Sequence, residues 1–273
     1  MDVRTERLTV GAHALEVARI AAIDASRPTL VLLHEALGCV RRWKEWPDQL
    51  AAATGCGVLA YSRPGHGGSS RQPGRRPLDY LHREALEVLP EVLRQEGVAR
   101  PLLVGHSDGA SIATIYAGSA GDDDVCGVVQ LAPHFIVEVE ALVGIRTIRE
   151  AWSTTNLRKR LRKYHGSNTD DLFRQWTETW LDPAFGTWSI TDCLPRITTP
   201  MLLVQGDTDE YGTLAHFELA RHLVTAPLET ALLRDVGHSP HLDAAEETTH
   251  LVAAFVRRVA SARRPNEPGA PTT

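Results

Sequence analysis

Residues 101–109 read PLLVGHSDG, and this stretch decides the fold. A short apolar run ends abruptly in Gly105-His106-Ser107-Asp108-Gly109, a match to G-x-S-x-G, and residues 111–117 follow with helical spacing. A serine nucleophile must stand clear of a sheet, on a turn so tight that bulky neighbours would clash. Glycines on both sides of Ser107 permit that turn. A helix beginning just beyond it offers free backbone N–H groups and a positive dipole end to a developing oxyanion. The strand–turn–helix context separates this from a small-residue turn with an incidental serine, and makes Ser107 the candidate nucleophile.

The same habit recurs along the chain. Residues 29–33 (TLVLL) run into HEALG, 58–61 (VLAY) into SRPGHGGSS and 125–131 (VCGVVQL) into APH. Residues 201–204 (MLLV) run into QGDTDE, and 228–233 lead into RDVGHSPH. Continuous apolar character is what strands covered on both faces require, so the runs predict a parallel sheet. Segments 43–53, 78–96, 213–223 and 246–259 have the spacing of amphipathic helices. The alternation predicts an α/β fold with a doubly wound, mostly parallel sheet. Before it, 8–10 and 14–20 flank Gly11 and predict an antiparallel hairpin.

Residues 136–190 break the rhythm. They carry no strand signal and hold Trp152, Trp176, Trp180 and Trp188, four of the six tryptophans, with Tyr164, Phe173 and Phe185. An aromatic-rich, all-helical insertion predicts a cap over a pocket; a helical subdomain with its own small core is the compatible alternative. The expected organisation is a core over 1–135 and 191–260, a cap over 136–190 and a Pro/Gly-rich tail over 261–273.

The 273 residues can bury a sizeable core without staples, and the net charge of -5 gives no reason to expect nucleic acid as a partner. No stretch approaches the roughly 18 apolar residues of a membrane span, and the N-terminus lacks the apolar core of a signal peptide. Cys39, Cys56, Cys126 and Cys193 are far apart and form no CxxC pair, which suits reduced thiols and a cytoplasmic setting. There is no H-E-x-x-H or clustered Cys/His site, and the glycines of 62–69 lack the lysine of a phosphate loop. No metal and no cofactor is expected.

Over residues 8–260 the chain resembles the α/β-hydrolase superfamily, in its serine hydrolase branch with a helical cap. Four motifs follow that family's order: an oxyanion loop, the nucleophile turn, a late acid and a final histidine. The resemblance implies His238, in VGHSPHLD, as general base, with His241 its nearest rival. It implies Asp209 as the acid, two residues separating it from Gly206, which leaves Asp207 to shape the loop. Backbone N–H groups of Asp108 and of Ala36, in His34-Glu35-Ala36-Leu37-Gly38, would form the oxyanion hole. The segment Ser62–Ser69 resembles a family loop that packs against the nucleophile turn.

Glu35 departs from the family pattern, which has glycine there, and Asp108 adds a second acid beside the nucleophile. Either is a loop anchor, or one selects substrate by contacting a polar or cationic group. Glu35, Trp152, Trp176 and Trp180 are the candidate substrate-binding residues. The basic run 157–163 is a solvated helix face or a receiver for an anionic carrier such as CoA or an acyl-carrier protein. The expected activity is hydrolysis, through an acyl-enzyme, of a small-molecule carboxylic ester with an apolar or aromatic portion. A thioesterase, a cofactor-free haloperoxidase and a non-hydrolytic binding protein stay open, as does a homodimer. Serine at position 107 argues against the dehalogenase and epoxide-hydrolase branches, which need an aspartate there.

Overall fold

The computed structural model describes residues 5–121 and 124–261. Its strands are β1 (Thr5–Val10), β2 (His13–Ile20), β3 (Leu30–Leu33), β4 (Val58–Tyr61), β5 (Leu102–His106), β6 (Gly127–Leu131), β7 (Met201–Gly206) and β8 (Leu228–Leu233). They form one sheet in the order β1-β2-β4-β3-β5-β6-β7-β8. Strands β3 to β8 are parallel neighbours, and the hairpin β1–β2 joins β4 antiparallel. Of the tail expected from residue 261, positions 262–273 lie outside the described residues.

Alternation along each strand divides the core into two layers. Leu30, Leu32, Leu102 and Val104 face one side of the sheet, and Val31, Leu33 and Leu103 the other. The helices are α1 (Trp46–Thr54), α2 (Tyr80–Arg83), α3 (Leu89–Gln95), α4 (Asp108–Ala117), α5 (Val139–Thr154), α6 (Leu157–His165), α7 (Thr169–Trp180), α8 (Ala215–Leu223), α9 (Pro240–Asp243) and α10 (Ala245–Ser261). Helices α1 and α10 cover the first side, where the Trp46 indole N–H donates to Thr249 Oγ1 at 2.9 Å. Helices α2, α3, α4 and α8 cover the second.

Two predicted helices are interrupted. Segment 43–53 is a 3-10 turn, Val40–Trp43, then Lys44 at φ 53°, and α1 starts only at Trp46 with proline in its first turn. Segment 78–96 starts at Tyr80 and passes through a π turn, Glu84–Val88, before α3. Pro90 has no N–H to continue the α ladder, and the backbone widens just ahead of it.

Helices α5, α6 and α7 form the insertion between β6 and β7. Its ends meet where Ile136 pairs with Ser189 in an antiparallel bridge. Loop 62–74 holds it down. The buried His165 ring accepts Gly67 N–H at 2.9 Å and donates to Leu37 O at 3.0 Å. Asn168 donates to Ser69 O at 3.0 Å, and Gln175 to the carbonyls of Gln72 and Gly74 at 2.6 and 2.9 Å. All four cysteines are buried.

Candidate active site

Ligands of open parallel sheets sit beyond the carboxyl ends of the strands, where connections diverge. Here β3 and β5 are adjacent, so the loop bearing Glu35 and Ala36 meets the turn bearing Ser107. Strands β7 and β8 are adjacent too, so the loop bearing Asp209 meets the one bearing His238.

Ser107 sits at φ 53°, ψ -116°, a conformation that non-glycine residues adopt only under constraint. The glycines at 105 and 109 make it attainable. A Cβ on Gly109 would fall on the carbonyl oxygen of Leu33, and one on Gly105 on that of Gly109. The N–H of Ser107 donates to Leu131 O at 3.0 Å, which pins the turn to β6.

Ser107 and His238 line a common cavity of about 190 Å³. His238 Nδ1 donates to Asp209 Oδ1 at 2.8 Å, which leaves Nε2 as the acceptor nitrogen. Burial alone would lower the proton affinity of His238. The Asp209 hydrogen bond and charge, helped by Glu210 and Glu35, more than offset it, and the pKa stands above its ordinary value. For Asp209, burial pushes upward, and the His238 partner outweighs it and holds the carboxyl below the usual range. Among the described residues no hydrogen bond joins Ser107 Oγ to His238.

Ala36 and Asp108 line the same cavity, and neither backbone N–H is taken by an acceptor in the surrounding turns. Both acids that stood out in the sequence are spoken for. Glu35 Oε1 accepts from Arg42 Nε at 3.0 Å, and Oε2 lies 3.7 Å from His106 Nδ1. Burial opposes its charge, yet Arg42 first, then His106 and His34, hold its pKa well below the usual value. Asp108 Oδ2 accepts the Tyr80 hydroxyl at 2.8 Å, and that hydroxyl receives the Trp180 indole N–H at 3.0 Å.

Asp207 Oδ1 accepts Asp235 N–H at 2.7 Å and shapes its loop. His241 is buried against Trp43, Trp46 and His106 and does not line the cavity.

Trp176 and Trp180 form part of the cavity wall with Ile145 and Ile148. Trp152 does not, which corrects the expectation that it binds substrate. Its ring stacks on Phe173, centroids 3.8 Å apart, and lines a separate groove with Arg158 and Arg162. Ile145 and Trp152 are seven residues apart on one stripe of α5, so Trp152 lies two turns further along the helix, beyond the end of the cavity. In the basic run, Arg158 pairs with Asp170 at 2.6 Å.

Sequence reasoning missed Arg42, His134 and Tyr211, which also line the cavity. His134 is buried, with its ring 5.5 Å from that of His238 and 5.3 Å from that of Trp180. Burial, then His216 and His238, drive its pKa well down, so it is neutral. Its position just past the carboxyl end of β6 was the available signal.

Residues 30–251 match the family model described as the alpha/beta hydrolase family. Epoxide hydrolase 3 of Xenopus tropicalis is 33% identical over 116 residues, which is 42% of this chain and 30% of that protein. Epoxide hydrolase B of Mycobacterium tuberculosis is 32% identical over 114 residues, 41% of this chain and again 30% of the relative. The chain therefore spans less than a third of the length of the curated relatives it matches. The crystal structure of proline iminopeptidase from Mycobacterium smegmatis superposes with a TM-score of 0.72 at 18% identity, covering 95% of this chain and 99% of that one. That likeness shows the fold.

Proposed function

Since the chain belongs to the alpha/beta hydrolase family, we propose that it is a serine hydrolase that cleaves small carboxylic esters through an acyl-enzyme. The observation that carries this reading is His238, bonded through Nδ1 to Asp209 and lining one cavity with Ser107 on its strained turn.

His238 Nε2 takes the Ser107 proton as Oγ attacks the ester carbonyl, and Asp209 stabilises the imidazolium that results. The Ser107–His238 hydrogen bond forms as substrate orders the site, since such bonds are often long or absent in free enzymes. The oxyanion is held by the N–H groups of Ala36 and Asp108. His238 then returns its proton to the leaving alcohol. Water, deprotonated by the same base, releases the acid. The insertion acts as a cap, with Trp176 and Trp180 against the acyl group. Arg42 neutralises Glu35, so that carboxylate does not oppose the oxyanion.

The relatives named epoxide hydrolases place epoxides on the substrate panel. Serine at position 107, where the family resemblance puts aspartate in that branch, supports the ester.

The test is labelling with a fluorophosphonate probe, wild type against Ser107→Ala, followed by a panel of short esters, thioesters and epoxides. Labelling and ester turnover by wild type alone support the reading. A wild type that neither labels nor cleaves esters overturns it.

A further inference from the structure

Arg63 is a fully buried cation, 2% exposed, in the loop after β4. Its contacts converge on the two loops that carry Ala36 and Asp108. The backbone N–H of Arg63 donates to His34 Nε2 at 3.0 Å. Its Nη2 donates to Glu35 O at 2.9 Å, and its Nη1 lies 3.5 Å from Asp108 Oδ2. His34, which accepts on Nε2, carries its proton on Nδ1 and donates it to the same Glu35 oxygen at 2.7 Å.

The Glu35 carbonyl and the Ala36 N–H belong to one peptide group. That group is planar, so the three donors on the oxygen, Arg63, His34 and the Gly38 N–H at 2.9 Å, also fix the direction of the N–H on its far side. They polarise it as well, because hydrogen bonds in series strengthen one another. At the other end, Asp108 is ion-paired with Arg63 at 3.5 Å without a hydrogen bond and accepts one from Tyr80, whose hydroxyl also receives the Trp180 indole N–H.

We propose that Arg63 is a positioning residue that clamps the Glu35–Ala36 peptide to the Ser107–Asp108 turn and so sets the geometry of the two oxyanion donors. This rests on the serine hydrolase reading above. Arg63 touches neither cavity nor nucleophile, so its removal acts on the transition state and leaves ground-state binding in place.

The experiment compares wild type, Arg63→Gln, Arg63→Lys and Asp108→Asn for kcat and KM on a short nitrophenyl ester, for the rate of fluorophosphonate labelling, and for thermal melting. Arg63→Gln is expected to lower kcat about tenfold to hundredfold, a fraction of the loss when an oxyanion donor itself is removed. KM should change by less than about threefold, and labelling should slow in parallel with kcat. Arg63→Lys keeps the charge, reaches one of the two acceptors, and should recover part of the loss. A cooperatively melting Arg63→Gln with wild-type kcat and labelling rate overturns the clamp, and so does a rise in KM alone. If Arg63→Gln does not fold, Arg63→Lys and Asp108→Asn decide by the same criterion: kcat lowered at constant KM supports the clamp, and unchanged kcat in both overturns it. A wild type that is never labelled overturns the serine reading itself, and the clamp with it.

Discussion

His106 Nε2 donates to the carbonyl oxygen of His238 at 2.7 Å. The residue just before the candidate nucleophile thus holds the backbone of the candidate base, across 132 positions of sequence. Ser107 and His238 are registered through their neighbours rather than through each other. A side chain that leaves the base free to move its proton, while fixing the base's main chain, suits a ring that must exchange partners during a reaction.

Asp209 raises the proton affinity of His238, so the base becomes competent only as pH rises through a value above its ordinary 6.5. The acid limb of kcat/KM for ester hydrolysis should therefore lie above that value. Asp209→Asn removes the charge and the hydrogen bond that favour the imidazolium. The limb should move to lower pH while the plateau falls about 10³- to 10⁴-fold. A pH–rate profile of both proteins checks the sign: a limb that moves upward, or stays, contradicts it.

The cavity of about 190 Å³ is small, below the roughly 300 Å³ at which pockets for larger ligands begin, so short acyl groups should be preferred. Trp176→Leu enlarges it and should raise the hexanoyl-to-acetyl ratio of kcat/KM about tenfold. Trp152→Ala is the control. It should leave ester kinetics unchanged and lower Tm by about 3–10 °C through loss of its stack on Phe173.

Glu84, in the π turn, is buried and has one oxygen without a partner. Burial lifts its pKa to about 7; Arg63 and Arg76 pull it back and Asp108 pushes it further up. A folded-state value above the unfolded one means stability present below about 4.5 and lost as pH rises through about 7. The difference amounts to roughly 3 kcal/mol. Glu84→Gln does not titrate, so its Tm relative to wild type should climb between pH 5 and pH 9. Melting curves with a constant gap would contradict this.

The sheet was legible because its strands are continuous apolar runs that stop at small or polar residues, and β4 and β8 begin and end where those runs do. The strand-to-helix turn at Ser107 could be read because both its glycines lie within two residues of it. Residues without such local marks stayed hidden. Arg63, Tyr80 and His134 acquire their roles from residues distant in the chain: Arg63 from Glu35 and Tyr80 from Asp108, each at a separation of 28, and His134 from His238, at 104. Nothing beside them in the chain announces it. Trp152 misled for a related reason: periodicity puts it on the same stripe of α5 as Ile145, and does not say how far along that stripe the cavity reaches.

The bridge between Ile136 and Ser189 brings the two ends of the insertion side by side. Residues 137–188 therefore depart and return at one seam, beyond the end of β6 and ahead of β7. For an engineer this is a cassette with a single seam. A foreign segment whose ends meet could be spliced there, provided that it supplied partners for the Tyr80 hydroxyl, the Gly67 N–H and the Leu37 carbonyl, which Trp180 and His165 now hold.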